Sequence, residues 1–107
     1  MKLWTSEIEK QALKYPFGSQ DRLGKDAHVW LKVFNSFGRG TWLITEAEKQ
    51  EDGDWMLFGY MHIFEHEWGY VMLSELQTVK IRFGALEFGL ERDLYIGENA
   101  TVNSLLR

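Results

Sequence analysis

The residues best suited by type and spacing to chemistry are His62 and His66. With Glu65 they spell His62-Ile63-Phe64-Glu65-His66, the order found in inverted zinc peptidases. On a helix the two imidazoles share one face and hold an ion while Glu65 acts as base. The surroundings oppose a helix. The stretch from Trp55 to Phe64 is aromatic-rich, follows Glu51-Asp52-Gly53-Asp54 and contains Gly59. On a straight strand, residues four apart lie about 13 Å from each other, too far for one ion. A turn would close that gap, but a third ligand is not identifiable. No metal and no cofactor is therefore expected.

Carboxylates are the next candidates. Glu46, Glu48, Glu51, Asp52 and Asp54 face a single base, Lys49, so this stretch carries the whole net charge of −4. It lacks the alternating oxygens and closing Glu of an EF-hand loop. A solvated hairpin tip is the simple reading, and a docking patch the functional one. A second group is Glu87, Glu91 and Asp93. On a strand, Glu91 and Asp93 share a face about 6–7 Å apart, a spacing compatible with paired acid and base, while Arg92 points the other way. Surface ion pairing is the simpler role. A hydrolase, with or without a metal, would need Glu46, Glu65, Glu75, Glu91 or Asp93 to converge in one cleft.

Bases alternate with aromatics at Lys80-Ile81-Arg82-Phe83 and at Trp30, Lys32 and Phe34. Such groups can stack on single-stranded bases. The chain has 12 Lys and Arg against 16 Asp and Glu, and phosphate neutralisation needs clustered bases. Nucleic-acid binding is thus the weakest reading. With no Cys among 107 residues, disulfides and thiolate sites are excluded. Neither a signal core nor an apolar run of membrane-spanning length is evident, so a cytoplasmic location is expected. Asn99-Ala100-Thr101 matches a glycosylation sequon, accidental in that setting.

The elements that must position these groups follow from periodicity. Ser6 and Glu9 fit a capping box, Ile8, Ala12 and Tyr15 follow at helical spacing, and Pro16 ends a helix over 6–14. Residues 17–25 read as a loop. Thereafter the period is two. One strand runs from His28 to Phe34, with Val29, Leu31 and Val33 on one face. A second runs from Thr41 to Glu48, with Leu43, Thr45 and Ala47 opposite Trp42, Ile44 and Glu46. A hairpin at Glu51–Asp54 leads to a central strand over 55–64, and a reversal near Glu65–Glu67 leads to a fourth over 68–73. Ser74-Glu75-Leu76-Gln77 is a second capping box before a helical turn. Gly84 and Gly89 mark a loop, and Leu90–Ile96 alternates as a fifth strand. The expected fold is α+β: an N-terminal helix, a four- to five-stranded antiparallel meander, and a short helix after strand four. Residues 1–96 form the domain and 97–107 a tail or frayed helix.

Several blocks resemble a family of small bacterial proteins known as a domain of unknown function and often encoded on plasmids, integrative elements and phages. They are Trp42 with Thr45-Glu46, Phe58-Gly59-Tyr60, Glu65 with Glu67-Trp68-Gly69-Tyr70, Leu73-Ser74-Glu75-Leu76 and Glu91-Arg92-Asp93-Leu94-Tyr95. The last two are the most specific, and the similarity spans the N-terminal helix to Ile96. His62 and His66 lie outside the pattern. The resemblance implies no reaction and no cofactor; it implies a setting of mobile DNA. The functional expectation is a non-enzymatic module that binds another protein, a host or mobile-element factor of defence or plasmid maintenance. Its contacts would be Glu48, Glu51, Asp52 and Asp54 on the hairpin, and Glu91, Arg92 and Asp93. A homodimer through a free sheet edge is the further partner that this composition permits.

Overall fold

Pro16 stops a first helix, and from Leu31 to Met72 the chain is pleated. The computed structural model describes residues 1–106. Helix α1 spans Ser6–Lys14 and buries Ile8 and Ala12, one turn apart. Its N-cap is Thr5, not Ser6: the Thr5 hydroxyl accepts the Ile8 N–H at 3.2 Å. Thr and Ser cap almost equally well, and here Glu9 is engaged by the Trp4 indole N–H instead (3.2 Å). A 3-10 segment, Asp21–Asp26, kinks at Gly24. It occupies part of the expected loop.

Strands β1 (Leu31–Phe34), β2 (Thr41–Lys49), β3 (Trp55–His62) and β4 (His66–Met72) form the antiparallel meander, followed by α2 (Leu73–Gln77). Strands β5 (Ile81–Phe83) and β6 (Leu86–Phe88) make a separate hairpin, where a plain loop was expected. Three-residue strands are too short for their alternation to register, and Gly84 supplies the positive φ of their turn. The fifth strand of the main sheet, β7, is only Glu91–Arg92, paired with β1 at the far edge. The sheet order is β4-β3-β2-β1-β7. Among the described residues, no helix is long and apolar enough to cross a membrane.

Two apolar clusters sandwich the sheet. The larger joins Ile8 and Ala12 of α1 and Leu73 and Leu76 of α2 to Leu31, Ile44 and Leu57. The smaller contains Val29, Leu43, Tyr60 and Val102, with Leu105 packed against it. Each fully buried aliphatic side chain contributes about 1.5–3 kcal/mol. Val102 and Leu105 lie on helix α3 (Val102–Leu105). The segment after Ile96 therefore does not trail away. Val29 N–H donates to the Ala100 carbonyl at 2.9 Å, and Val102 N–H to that of Ala27 at 3.2 Å, so it is fastened by backbone bonds to 27–29. Arg107, the last residue of the expected tail, lies outside the described residues.

The simple alternation fails twice. Val29 belongs to the smaller cluster while Leu31 and Val33 belong to the larger, because residues 27–29 leave β1 to pair with the C-terminal segment. In β2 a bulge at Thr45 shifts the register between Ile44 and Glu46. The extra residue moves Ala47 to the α1 side and turns Glu46 to the opposite face. Gly59, the partner of Ile44, permits this: a Cβ there would lie 1.9 Å from the Leu43 carbonyl oxygen.

Candidate functional site

The expected contact residues are not gathered in one place. Glu48, Glu51 and Asp52 are exposed at the tip of the β2–β3 hairpin. Glu91 lies level with Phe34, which pairs with Thr41 at the start of β2, whereas the acidic tip follows Lys49 at its end. Eight strand steps, about 26 Å, separate the two levels. Asp93 is held in place: its carboxylate pairs with the Lys32 ammonium at 3.4 Å and accepts the Tyr95 N–H at 2.9 Å. The Arg92 guanidinium donates to the Lys2 carbonyl at 3.3 Å.

Asp54 is also engaged. Its carboxylate accepts the Ser74 hydroxyl, the Ser74 N–H at 3.2 Å and the Trp55 N–H at 2.8 Å. It thus caps the start of α2 from twenty residues away, while Glu75 accepts the Met72 N–H at 3.2 Å. Ser74, expected as the cap, is turned to Asp54 instead. The Ser74 hydroxyl above all holds the Asp54 carboxyl below its ordinary pKa, against a smaller opposing effect of desolvation. The folded state therefore binds fewer protons than the unfolded chain as pH falls below the usual Asp range near 3.9. This contribution is complete above that range and is lost as pH drops through the depressed value. Ser74→Ala should move the Asp54 carboxyl titration upward in carboxyl-detected NMR. It should also cost about 1 kcal/mol at neutral pH, since the contact is exposed.

The five carboxylates of the hydrolase reading are dispersed. Glu46 is buried on β2, Glu65 is exposed in the β3–β4 turn, Glu75 caps α2, and Glu91 and Asp93 lie at the β7 edge. Among the described residues, no group of three or more His, Asp or Glu is placed to hold a metal. The β3–β4 turn does bring the two histidines together: His62 pairs with His66, ring centroids 3.9 Å apart and planes 18° from parallel. The pair forms a stack across the turn, and no third His, Asp or Glu among the described residues joins it. Of the bases of the nucleic-acid reading, Lys80 and Arg82 share one carboxylate, that of Glu87, at 3.6 and 3.2 Å.

What the sheet assembles instead is an aromatic face. On β3 and β4 the cross-strand pairs Phe58–Tyr70, Tyr60–Trp68 and His62–His66 all project to one side. Their centroids are 4.8, 5.1 and 3.9 Å apart. Phe58 also stacks on Trp68 at 5.5 Å, and Phe17 closes the row against Tyr70 at 5.5 Å. Each such pair adds about 0.5–1 kcal/mol to sheet stability. Yet the row is only partly covered. Trp68 is 37% exposed and Tyr70 62%, and Phe64 at the turn is 82% exposed. The row borders β4, whose outer edge no strand among the described residues pairs with. The Lys25 ammonium sits 5.1 Å above the Tyr60 ring.

Beside this face lies a polar knot that no sequence pattern announced. The Gln20 side chain donates to the carbonyls of His28 (2.9 Å) and Thr45 (2.8 Å) and accepts the His28 N–H (2.7 Å). The Glu46 carboxylate accepts the backbone N–H groups of Gly18 (2.9 Å) and Gln20 (2.8 Å). The loop before β1 is thereby tied to the bulge. Gln20, Thr45, Glu46, Phe58 and Trp68 line a pocket of about 230 Å³ here. The blocks around residues 45, 58 and 68 meet at it.

A larger open cleft of about 660 Å³ lies near the β7 edge, lined among others by Tyr15, His28, Arg92 and Asp93. His28 Nδ1 is 2.8 Å from the Ala100 carbonyl, so Nδ1 carries a proton and donates it to that oxygen. Arg92 and Asp93 are engaged by the Lys2 carbonyl and the Lys32 ammonium, and the Tyr15 ring packs on the imidazole with centroids 5.6 Å apart.

The family model described as "protein of unknown function (DUF2958)" matches residues 3–107. The chain belongs to the DUF2958 family. No curated protein and no solved structure matches it. The DUF2958 match extends through residues 97–107, where α3 contributes Val102 to the smaller core.

Proposed function

We propose that this DUF2958 chain is a non-enzymatic protein-binding module whose docking surface is the aromatic face of β3 and β4. The single observation that supports the reading is an aromatic row left uncovered beside an unpaired sheet edge. Monomeric proteins rarely leave such apolar area open, and aromatic residues dominate interface energetics. Edge strands also accept an extended segment by backbone pairing. The chain's net charge of −4 and its exposed Glu48, Glu51 and Asp52 select a basic partner and disfavour a second acidic copy. In this reading the acidic hairpin and the Glu91–Asp93 block steer the approach more than they anchor it. The partner is a host or mobile-element protein met in the cytoplasm, in keeping with the mobile-DNA setting that the resemblance implies.

A photo-crosslinking residue at Tyr70 tests this in the native host. It should yield one heteromeric adduct, absent when the crosslinker replaces exposed Leu13 on α1 and weakened about tenfold by reversing Glu48, Glu51 and Asp52 together. Equal labelling from Tyr70 and Leu13, or an adduct of the chain with itself, would sink the proposal.

A further inference from the structure

We infer that the pocket between the Asp21–Asp26 segment and the aromatic row is a receptor for one organic cation, the guanidinium of an arginine side chain. The inference deepens the protein-binding reading and rests on it, since the partner would supply that arginine. Its lining holds a carboxylate without a charged partner: Glu46 is only 3% exposed, and among the described residues no Lys, Arg or His forms an ion pair with it. Two neutral amides, those of Gly18 and Gln20, are its hydrogen-bond donors. A carboxylate has about four acceptor sites, so about two stay open to an incoming donor. A cation entering the pocket would meet a carboxylate that no counter-charge of the chain already occupies.

The rest of the lining fits the same ligand. No base lines the pocket, and Asp21 adds a second carboxylate at its rim. Phe58 and Trp68, stacked 12° from parallel, form the aromatic wall. Aromatic faces attract cations, indole most strongly, and a planar guanidinium both stacks on a ring and binds a carboxylate through two N–H groups. The volume of about 230 Å³ is several times the roughly 30 Å³ of a water molecule, room for a guanidinium with part of its stem. Lys25 on Tyr60 is the chain's own instance of a cation on this row. It follows Gly24 of the pocket lining, so it opposes entry by charge and sets a bound on affinity.

The test uses Nα-acetyl-arginine methylamide titrated into the full chain, with its citrulline and lysine counterparts as comparators. NMR signals of the Trp68 indole and the Gly18 and Gln20 amides report binding. The arginine probe should shift all three saturably. The isosteric but neutral citrulline probe should bind at least about tenfold more weakly, and lysine should fall between them. Trp68→Leu should weaken the arginine probe about fivefold or more, and Asp21→Asn about twofold, with the amide spectrum otherwise retained. These two variants carry the test if Glu46→Gln fails to fold, because neither residue ties down the loop. No saturable response to arginine on the order of 50 mM, citrulline equal to arginine, or lysine tighter than arginine would overturn the assignment. An unresponsive pocket with an intact Tyr70 adduct would remove the arginine receptor alone; a responsive pocket with no adduct would remove the docking face alone.

Discussion

Replacing Gly59 with alanine is expected to break the sheet at its centre. A Cβ at this position would lie 1.9 Å from the Leu43 carbonyl oxygen and 2.8 Å from both the Leu43 carbonyl carbon and Ile44 Cα. All three are backbone atoms of β2, so no rotamer change relieves the overlap. Strands β2 and β3 would have to separate where the Thr45 bulge begins, or the bulge would have to migrate. Migration by one residue would reverse the faces of Ala47 and Glu46 and place a carboxylate against α1. Overpacking costs about 1–3 kcal/mol where side chains can yield; here, with backbone opposed to backbone, a loss of about 3 kcal/mol or more is expected. In a domain of this size that lowers the melting temperature by about 10–20 °C. Circular dichroism melts would show it. Gly69, the β3-facing partner of Gly59, is the control: a Cβ there meets only the Met61 sulfur at 3.5 Å, and Gly69→Ala should melt close to the parent. Equal melting of parent and Gly59→Ala would mean that the bulge is not where it is placed here.

Gln20→Glu is expected to be nearly as damaging, although it exchanges a single NH₂ for an oxygen. The Gln20 Nε2 group is the donor to the His28 and Thr45 carbonyls. A carboxylate turns both contacts into facing acceptors and adds charge beside Glu46, whose carboxylate takes the Gln20 backbone N–H. Thr45 retains the Trp30 indole N–H at 2.8 Å, so the His28 carbonyl bears most of the loss. Unsatisfied buried groups cost about 1–3 kcal/mol each, and more when charged, for a total of about 3 kcal/mol at neutral pH. Acidification should reverse part of this, because a protonated side chain regains one donor. The introduced carboxyl would titrate above its ordinary value near 4.3 in the folded state. The folded variant would then bind more protons than the unfolded chain, and its stability would fall as pH rises through that interval. Urea unfolding of parent and variant at pH 4.5 and 7.5 should show the gap widening at the higher pH. A constant gap would assign the damage to packing and not to the lost donors.

Much of the architecture was legible along the chain because periodicity reports burial directly. Helix α1, the four meander strands and the turn at Asp52-Gly53 are local patterns whose physics acts over a few residues. The acidic tip was legible for the same reason, since consecutive charges cannot all be buried. The errors fall where distant contacts override local preference. Thr45 looks like any alternating strand residue; only Gly59 on the neighbouring strand admits the bulge there. Val29 alternates with Leu31 on paper, yet the pairing of 27–29 with Ala100–Val102 turns it to the other cluster. The histidines were placed by strand spacing, and a three-residue reversal brought them into contact. Asp54 read as a free acid, and Ser74 twenty residues later claimed it.

By itself, the order of residues determined the fold class, the succession of α1 and the four meander strands, the absence of thiol chemistry and the confinement of net charge to one hairpin. These are properties of composition and short-range rhythm. The tertiary structure alone decided that Gln20, an unremarkable loop residue, is buried with its side-chain donors satisfied. It likewise decided that Glu46 leaves the acidic run to become the floor of a pocket, and that Trp68 and Tyr70 stand uncovered beside it. Each of those outcomes depends on which backbone groups from remote segments meet a side chain, and hydrogen-bond satisfaction across 20 to 30 residues leaves no trace in local sequence.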